Sequence, residues 1–372
     1  MPYHLSKNIL EVCLSPDLGG LELYMYKLCL YLNPKLNLTS VINEEGKLKS
    51  KFLESGIQFS GLKRKSFFSL FSNAFKIAKI IDKHDIDLLH VHWTKDLPTV
   101  VLAKTISKKS PKIVQTRHMH MTRFKSDFYH RWLYKNIDLM IAVTKRVQTQ
   151  IEQFIPQEIR PKVLTSYIGA PKCGEIAQNK KDELQKKYGI ELSSFVAGIV
   201  GRIEEPKGQY LLIEAIKKLK GKNVDVKGLI IGHAMDESYL KKLQDEVAQD
   251  NLEGKIVFSG FTNEVQAHMQ LCDVIVLATY KETFGLVLIE AMQCEICVIG
   301  SDDGGPLEII DDGRTGLLFE SRNTDSLAEK IELLYNDKEL KDRLSASGRK
   351  KAQDVFEEEK QFDEVKSILE SV

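Results

Sequence analysis

Apolar runs of four to seven residues recur along the chain, and polar stretches with an apolar position every third or fourth residue separate them. Residues 8–14, 38–42, 57–61, 86–92, 112–116 and 138–143 predict strands in the first half. Residues 194–200, 226–232, 256–259, 274–278 and 296–300 do so in the second. The helical pattern between them, clearest over 21–32 and 210–219, predicts a strand–helix alternation of the doubly wound, parallel α/β kind. The alternation is interrupted once. Residues 168–174 (Ile-Gly-Ala-Pro-Lys-Cys-Gly) are turn-rich, and 175–188 are polar and charged. This break predicts two Rossmann-like domains, 1–170 and 180–355, with a closing charge-rich helix over 356–372.

Composition sharpens this picture. At 372 residues the chain is long enough for two domains. No apolar run reaches the length of about 18 that a membrane span needs. Residues 1–8 lack the apolar core of a signal peptide, so a cytoplasmic protein is expected. Six cysteines at irregular spacings read as reduced thiols, and Cys294 and Cys297 as small buried residues rather than a redox or zinc pair. The net charge of +1 conceals a division: 26 Lys+Arg face 14 Asp+Glu over residues 1–170, and 27 face 38 over the rest. The two domains should therefore meet different partners. A basic face suits anionic lipid, nucleic acid or a phosphorylated substrate, and composition does not choose among them.

The candidate chemistry lies mostly where strands end. After the run 274–278 come Lys281, Glu282, Thr283, Phe284, Gly285 and Leu286, and then a helical pattern. A loop at the carboxyl end of a parallel strand is where open α/β sheets bind ligands. Backbone N–H groups of Phe284, Gly285 and Leu286 would open the helix at its positive end, which suits a diphosphate. Glu282 and Glu290, eight residues apart, flank this cradle and suit sugar hydroxyls better than phosphate. Arg202 and Lys207, each beside a glycine in the loop after 194–200, are placed to meet phosphate oxygens. Gly19-Gly20 follows the first strand and would let backbone approach a ligand. Lys63, Arg64 and Lys65 precede Phe67, Phe68 and an amphipathic pattern, a combination that fits docking to an anionic bilayer. His90/His92 and His118/His120 form two close pairs, but no acidic or cysteine cluster near them completes a metal set. No metal site is expected.

Glu282-x7-Glu290 around Thr-Phe-Gly resembles the paired-glutamate signature of retaining glycosyltransferases of family 4, the group 1 glycosyl transferases of GT-B fold. Gly19-Gly20-Leu21-Glu22, Gly201-Arg202…Lys207-Gly208, Gly304-Gly305-Pro306-Leu307-Glu308 and Asp312-Gly313…Thr315-Gly316 are similar to further elements of that family, so the resemblance extends over almost the whole chain. It implies two Rossmann-like domains facing across a cleft, with the terminal helix returning to the first domain. It implies a nucleotide-diphosphate sugar as co-substrate, a UDP-sugar foremost, and no cofactor or metal. The first domain would take a glycan or lipid-linked acceptor, with retention of anomeric configuration. His118 and Glu282 would act at the transferred sugar. Gly20, Arg202, Lys207, Glu282, Thr283, Phe284, Gly285, Leu286 and Glu290 would hold the donor, with Glu290 on the ribose. Arg117 before His118 and Met119-His120 after it depart from the pattern, which leaves open which histidine acts. Bacterial lipopolysaccharide or surface-polysaccharide synthesis at the cytoplasmic face of the inner membrane is the expected setting, and nucleic acid is not an expected partner. A nucleotide-sugar epimerase and a non-catalytic binding subunit remain the alternatives.

Overall fold

A computed structural model describes residues 7–64, 67–280 and 282–372, and its chain forms two units. The first comprises the chain up to Ile168 and again from Glu359 to Val372; the second comprises Gly169–Glu358.

The first unit is built on a parallel sheet. Its strands are β1 (Asn8–Cys13), β2 (Asn37–Asn43), β3 (Ser60–Leu62), β4 (Leu88–Val91), β5 (Lys112–Arg117), β6 (Leu139–Ala142) and β7 (Lys162–Thr165), in the order β3-β2-β1-β4-β5-β6-β7. β4 and β6 are buried along their whole length, as strands covered on both faces must be. Side-chain caps start several helices: Asp127 accepts from the His130 N–H and Thr144 from the Val147 N–H. The order reverses between β1 and β4, and the loops leaving these two strands and β5 share the carboxyl edge. Helix Glu358–Ser371 packs on this unit, burying Phe362, Val365 and Leu369 among Ile9, Tyr24, Leu28 and Val114.

The second unit repeats the plan with β8 (Phe195–Val200), β9 (Val226–Ile231), β10 (Ile256–Gly260), β11 (Val274–Leu277), β12 (Cys297–Ser301) and β13 (Leu317–Phe319), in the order β10-β9-β8-β11-β12-β13. β11 lies entirely in the core, with Val274, Ile275 and Val276 at zero exposure. Here the order reverses between β8 and β11, which places the loops after those two strands side by side at the switch point.

Two expectations are corrected. Cys173 and Cys294 form a disulfide that joins the turn-rich start of the second unit to the end of helix Leu286–Gln293, so these two thiols are not reduced. Cys13, Cys29, Cys272 and Cys297 are free and buried. The basic triplet also needs revision. Arg64 turns inward: its Nη1 donates to Asp96 Oδ1 at 2.8 Å, its Nη2 to the Lys95 carbonyl at 3.0 Å, and it stacks on Trp93. A guanidinium tied to a fully buried carboxylate is part of the fold and does not face a bilayer. Lys63 pairs with Glu45 at 3.3 Å, while Lys65 and the side chains of Phe67 and Phe68 lie outside the described residues.

Candidate active site

In the second unit, the loop after β8 runs from Gly201 to Gly208. Arg202 Nη2 lies 3.0 Å from Glu204 Oε1, and Lys207 Nζ lies 3.3 Å from Glu282 Oε2. Lys207 therefore joins the loop after β8 to the loop after β11. Both ion pairs are partly exposed, so each is worth only ~0–1 kcal/mol and readily exchanges its carboxylate for a phosphate oxygen. Glu282 Oε1 accepts from the Thr283 N–H at 3.1 Å, which fixes the carboxylate across its own turn. Gly285, at φ 99°, caps helix Leu286–Gln293, whose first N–H groups have no intrahelical partner. Phe284 is buried, and Glu290 follows one turn further along this helix, half-buried.

The loop after β12 holds the Glu282 turn from the other side. The Gly305 N–H donates to the Glu282 carbonyl at 3.0 Å. A Cβ on Gly304 (φ 78°) would sit 2.2 Å from that same carbonyl oxygen, and one on Gly305 would sit 1.9 Å from the Phe284 carbonyl oxygen. Only glycine lets these two loops touch, so Gly304-Gly305 sets the shape of the turn that carries Glu282, Thr283 and Phe284.

In the first unit, helix Gly20–Leu32 starts at the carboxyl edge of the sheet. Glu22 Oε2 accepts from the Gly19 N–H at 2.8 Å and closes the Gly-Gly turn from inside, while a Cβ at Gly20 would meet no atom within 4 Å. The loop after β5 carries His118. Arg117 shapes this loop: its Nε donates to the Met119 carbonyl at 3.0 Å and its Nη2 to the His120 carbonyl at 2.9 Å. His120 Nδ1 lies 3.2 Å from Gln150 Oε1, so His120 is held by the helix behind it. His118 instead lies against Tyr24 and His92, with its Nε2 3.5 Å from His92 Nδ1. His118 and His120 thus stand in different surroundings.

Behind His118 lies a buried polar cluster that the sequence reading did not assemble. Glu11 on β1 meets His90 Nδ1 at 2.9 Å and His92 Nε2 at 2.7 Å. Burial works against ionisation of Glu11, but the attraction of His90 and the hydrogen bonds from both imidazoles hold its pKa down at about 2. Burial, with His90 beside it, takes His92 down to about 4, and burial takes His118 well below the ordinary histidine value. Asp96, also fully buried, accepts from the Leu14 N–H at 2.7 Å as well as from Arg64; burial outweighs both and raises its pKa to about 7. A signal for Glu11 existed in the sequence: a charged residue centred in a buried strand must be paired, and His90 on β4 and His92 just past its end, two residues apart in extended chain, point to one face.

Models of two families match this chain: "Glycosyl transferase 4-like" over residues 11–144 and "Glycosyl transferases group 1" over residues 180–351. The chain belongs to the group 1 glycosyltransferase family. An uncharacterized glycosyltransferase of Methanocaldococcus jannaschii is 29% identical over 344 residues, covering 90% of each chain. The N-acetyl-alpha-D-glucosaminyl L-malate synthase of Bacillus anthracis is 27% identical, covering 80% of this chain and 78% of its own. Among solved structures, HepE of Anabaena in complex with UDP is similar at TM-score 0.85 and 21% identity, covering 98% of this chain and all of that one. These similarities show a glycosyltransferase with two Rossmann-like units of the GT-B class. Of the group 1 motifs in the second unit, Gly201–Gly208, Glu282 and Gly304-Gly305 lie on loops at the carboxyl edge of the sheet, Glu290 lies on the helix that follows Glu282, and Asp312–Gly316 forms the turn that enters β13 at the opposite edge.

Proposed function

We propose that this group 1 glycosyltransferase moves a sugar from a UDP-sugar to a glycan or lipid-linked acceptor with retention of configuration. The observation that carries the donor half is the meeting of Arg202, Lys207, Glu282 and a helix N-terminus at the switch point between β8 and β11. The diphosphate would be met by Arg202, Lys207 and the first N–H groups of helix Leu286–Gln293. Charge builds on the departing diphosphate in the transition state, so these groups lower the barrier more than they strengthen ground-state binding. Glu282 and His118 would contact the transferred sugar, and Glu290 the ribose. In a front-face displacement the leaving phosphate oxygen takes the acceptor hydroxyl proton, and no covalent enzyme intermediate is needed. Because protein groups meet the diphosphate, EDTA should leave the rate unchanged; a rate lost with EDTA and restored by Mg²⁺ would contradict this.

The UDP in the HepE complex supports uracil as the base. The acceptor is the less constrained half, and a relative named for L-malate acts on a small soluble one. A lipid-linked acceptor is supported by helix Phe67–Lys83, which exposes Phe71 and Phe75 beside Lys76, Lys79 and Lys83. Such a face suits an anionic bilayer. Among the described residues no helix is long and apolar enough to cross a membrane, so contact would be peripheral. Vesicles with phosphatidylglycerol should capture the protein, and Phe71→Ser with Phe75→Ser should release it with UDP binding intact. No capture of the natural protein would favour a soluble acceptor, and capture unchanged by the two substitutions would put the docking face elsewhere. For the reaction itself, UDP-sugars are incubated with lipid-linked and soluble acceptors, and UDP release and product anomers are followed by NMR. Sugar isomerisation without an acceptor would instead indicate an epimerase.

A further inference from the structure

The cluster behind His118 sets more than its location. A carboxylate only accepts hydrogen bonds, so His90 must present N–H at Nδ1 and His92 at Nε2 to face the two oxygens of Glu11. His90 is left with a bare Nε2, which the Thr116 hydroxyl fills by donating at 2.7 Å. His92 is left with a bare Nδ1, and His118 Nε2 faces it at 3.5 Å. Two lone pairs cannot face each other favourably, so the proton on His118 belongs on Nε2. That leaves Nδ1 of this half-buried ring as a hydrogen-bond acceptor.

We propose that Glu11, acting through His92, holds His118 in the tautomer whose Nδ1 accepts a hydrogen bond from a hydroxyl of the transferred sugar. Glu11 and His92 are thus positioning residues. The sugar contact rests on the donor reading above; the tautomer does not. One carboxylate and two imidazoles also bring ligand atoms within 4.8 Å of one another, as a cation site would. Here, however, the nitrogens facing Glu11 already carry protons and the remaining lone pairs face Thr116 and His118, so the network is complete without a metal. The His92–His118 pair is also insensitive to pH near neutrality. The titratable and charged groups in and around the network are Glu11 and Cys13 on β1, Glu22, Tyr24 and Cys29 on helix Gly20–Leu32, His90 on β4 and His92 just after it, His118 after β5, and Glu364 on the terminal helix. With Glu11 at about 2, His92 at about 4 and His118 lower than usual, the carboxylate is ionised and both His92 and His118 are neutral from about pH 6 upward.

The test reads protons directly. Histidine-¹⁵N-labelled protein is examined by long-range ¹H–¹⁵N correlation, with His118→Gln used only to assign the His118 signals. The expected pattern is a proton on His90 Nδ1, with His92 and His118 each protonated at Nε2 alone and unchanged between about pH 6 and 8. Glu11→Gln offers one acceptor oxygen and one amide donor, so one of the two imidazoles on it must invert and His118 should become a mixture of tautomers. With UDP-glucose hydrolysis as the probe, kcat should fall about tenfold with KM little changed, the size of one lost hydrogen bond in the transition state. His118 protonated at Nδ1 in the unaltered protein overturns the proposal, even if Glu11→Gln fails to fold. So does an unchanged His118 tautomer in Glu11→Gln, or equimolar zinc that converts His90 and His92 to ligand-type signals. The expected tautomers with no UDP-glucose turnover in either protein would overturn the sugar contact and its donor reading, while upholding the hydrogen-bond relay.

Discussion

Arg202 and Lys207 illustrate how a polar side chain can be positioned without being committed. Each is held by a carboxylate in a partly exposed pair, which keeps the cation at the switch point at little energetic cost. Removing one charge-assisted contact to a diphosphate costs about 1.5–3 kcal/mol, so Arg202→Ala should weaken UDP binding roughly tenfold to a hundredfold by titration calorimetry. An unchanged affinity would place the diphosphate elsewhere. Asp96 gives a stability prediction of definite sign. Its folded pKa, about 7, lies above the ordinary value of 3.8, so between these values the folded state holds more of its proton than the unfolded one. Stability contributed by the protonated carboxyl is present below about pH 4 and lost as pH rises toward about 7. Asp96→Asn cannot ionise. Urea unfolding should therefore show the natural protein losing ground to this variant across that window; parallel pH curves would contradict the assignment. Candidate residues on loops that leave apolar strands, such as Arg202 and Glu282, were legible in the sequence because each loop follows an apolar run and carries a glycine, Gly201 or Gly285. Glu11, Asp96 and the inward turn of Arg64 were not, because their partners lie between 32 and 82 positions away and only folding brings them together.

Elements were most legible where burial is complete. β8 and β11 are continuous apolar runs in the sequence and β1 is an apolar run broken by Glu11, and all three are core strands in the fold. β7, at the sheet edge, carries only Lys-Val-Leu-Thr with no buried residue, so its hydrophobic signal is too weak to predict. β3 begins three residues later than its apolar run, because Ile57 closes a small cluster with Phe52 and Ile42 before the strand starts. Loops carry their own signal when glycine is obligatory. Gly304→Ala would push a methyl group to within 2.2 Å of the Glu282 carbonyl oxygen at a positive φ. Such a change costs more than about 1 kcal/mol, and it displaces the turn that bears Glu282. The variant should melt at lower temperature and also lose UDP binding. Lowered melting with full UDP affinity would separate this loop from the donor site.

For the whole chain, the alternation of elements and the single polar break were enough to predict two α/β units. The disulfide was not predictable, because its cysteines stand 121 residues apart with nothing local to join them. Closing a loop of that length typically contributes about 2–4 kcal/mol. Reduction should lower the melting temperature by roughly 5–15 °C, and intact mass without reductant should show one pair of hydrogens missing. Two free thiols at positions 173 and 294 would contradict this linkage. The division of charge, basic before residue 170 and acidic after it, matches a first unit that exposes lysines beside Phe71 and Phe75. Arg202 and Lys207, the groups proposed to meet the diphosphate, are a local exception in an acidic half.

The central claim is that the carboxyl edge of the second sheet holds a nucleoside diphosphate. Thermal unfolding of the full chain with UDP, GDP, ADP and CMP in turn tests it most directly, since a ligand at about 100 times its Kd adds roughly 2.7 kcal/mol to the folded state. The account predicts a clear upward shift with UDP, and its loss in Arg202→Ala and in Glu290→Ala. No shift with any nucleotide, or a UDP shift that survives both substitutions, would contradict it.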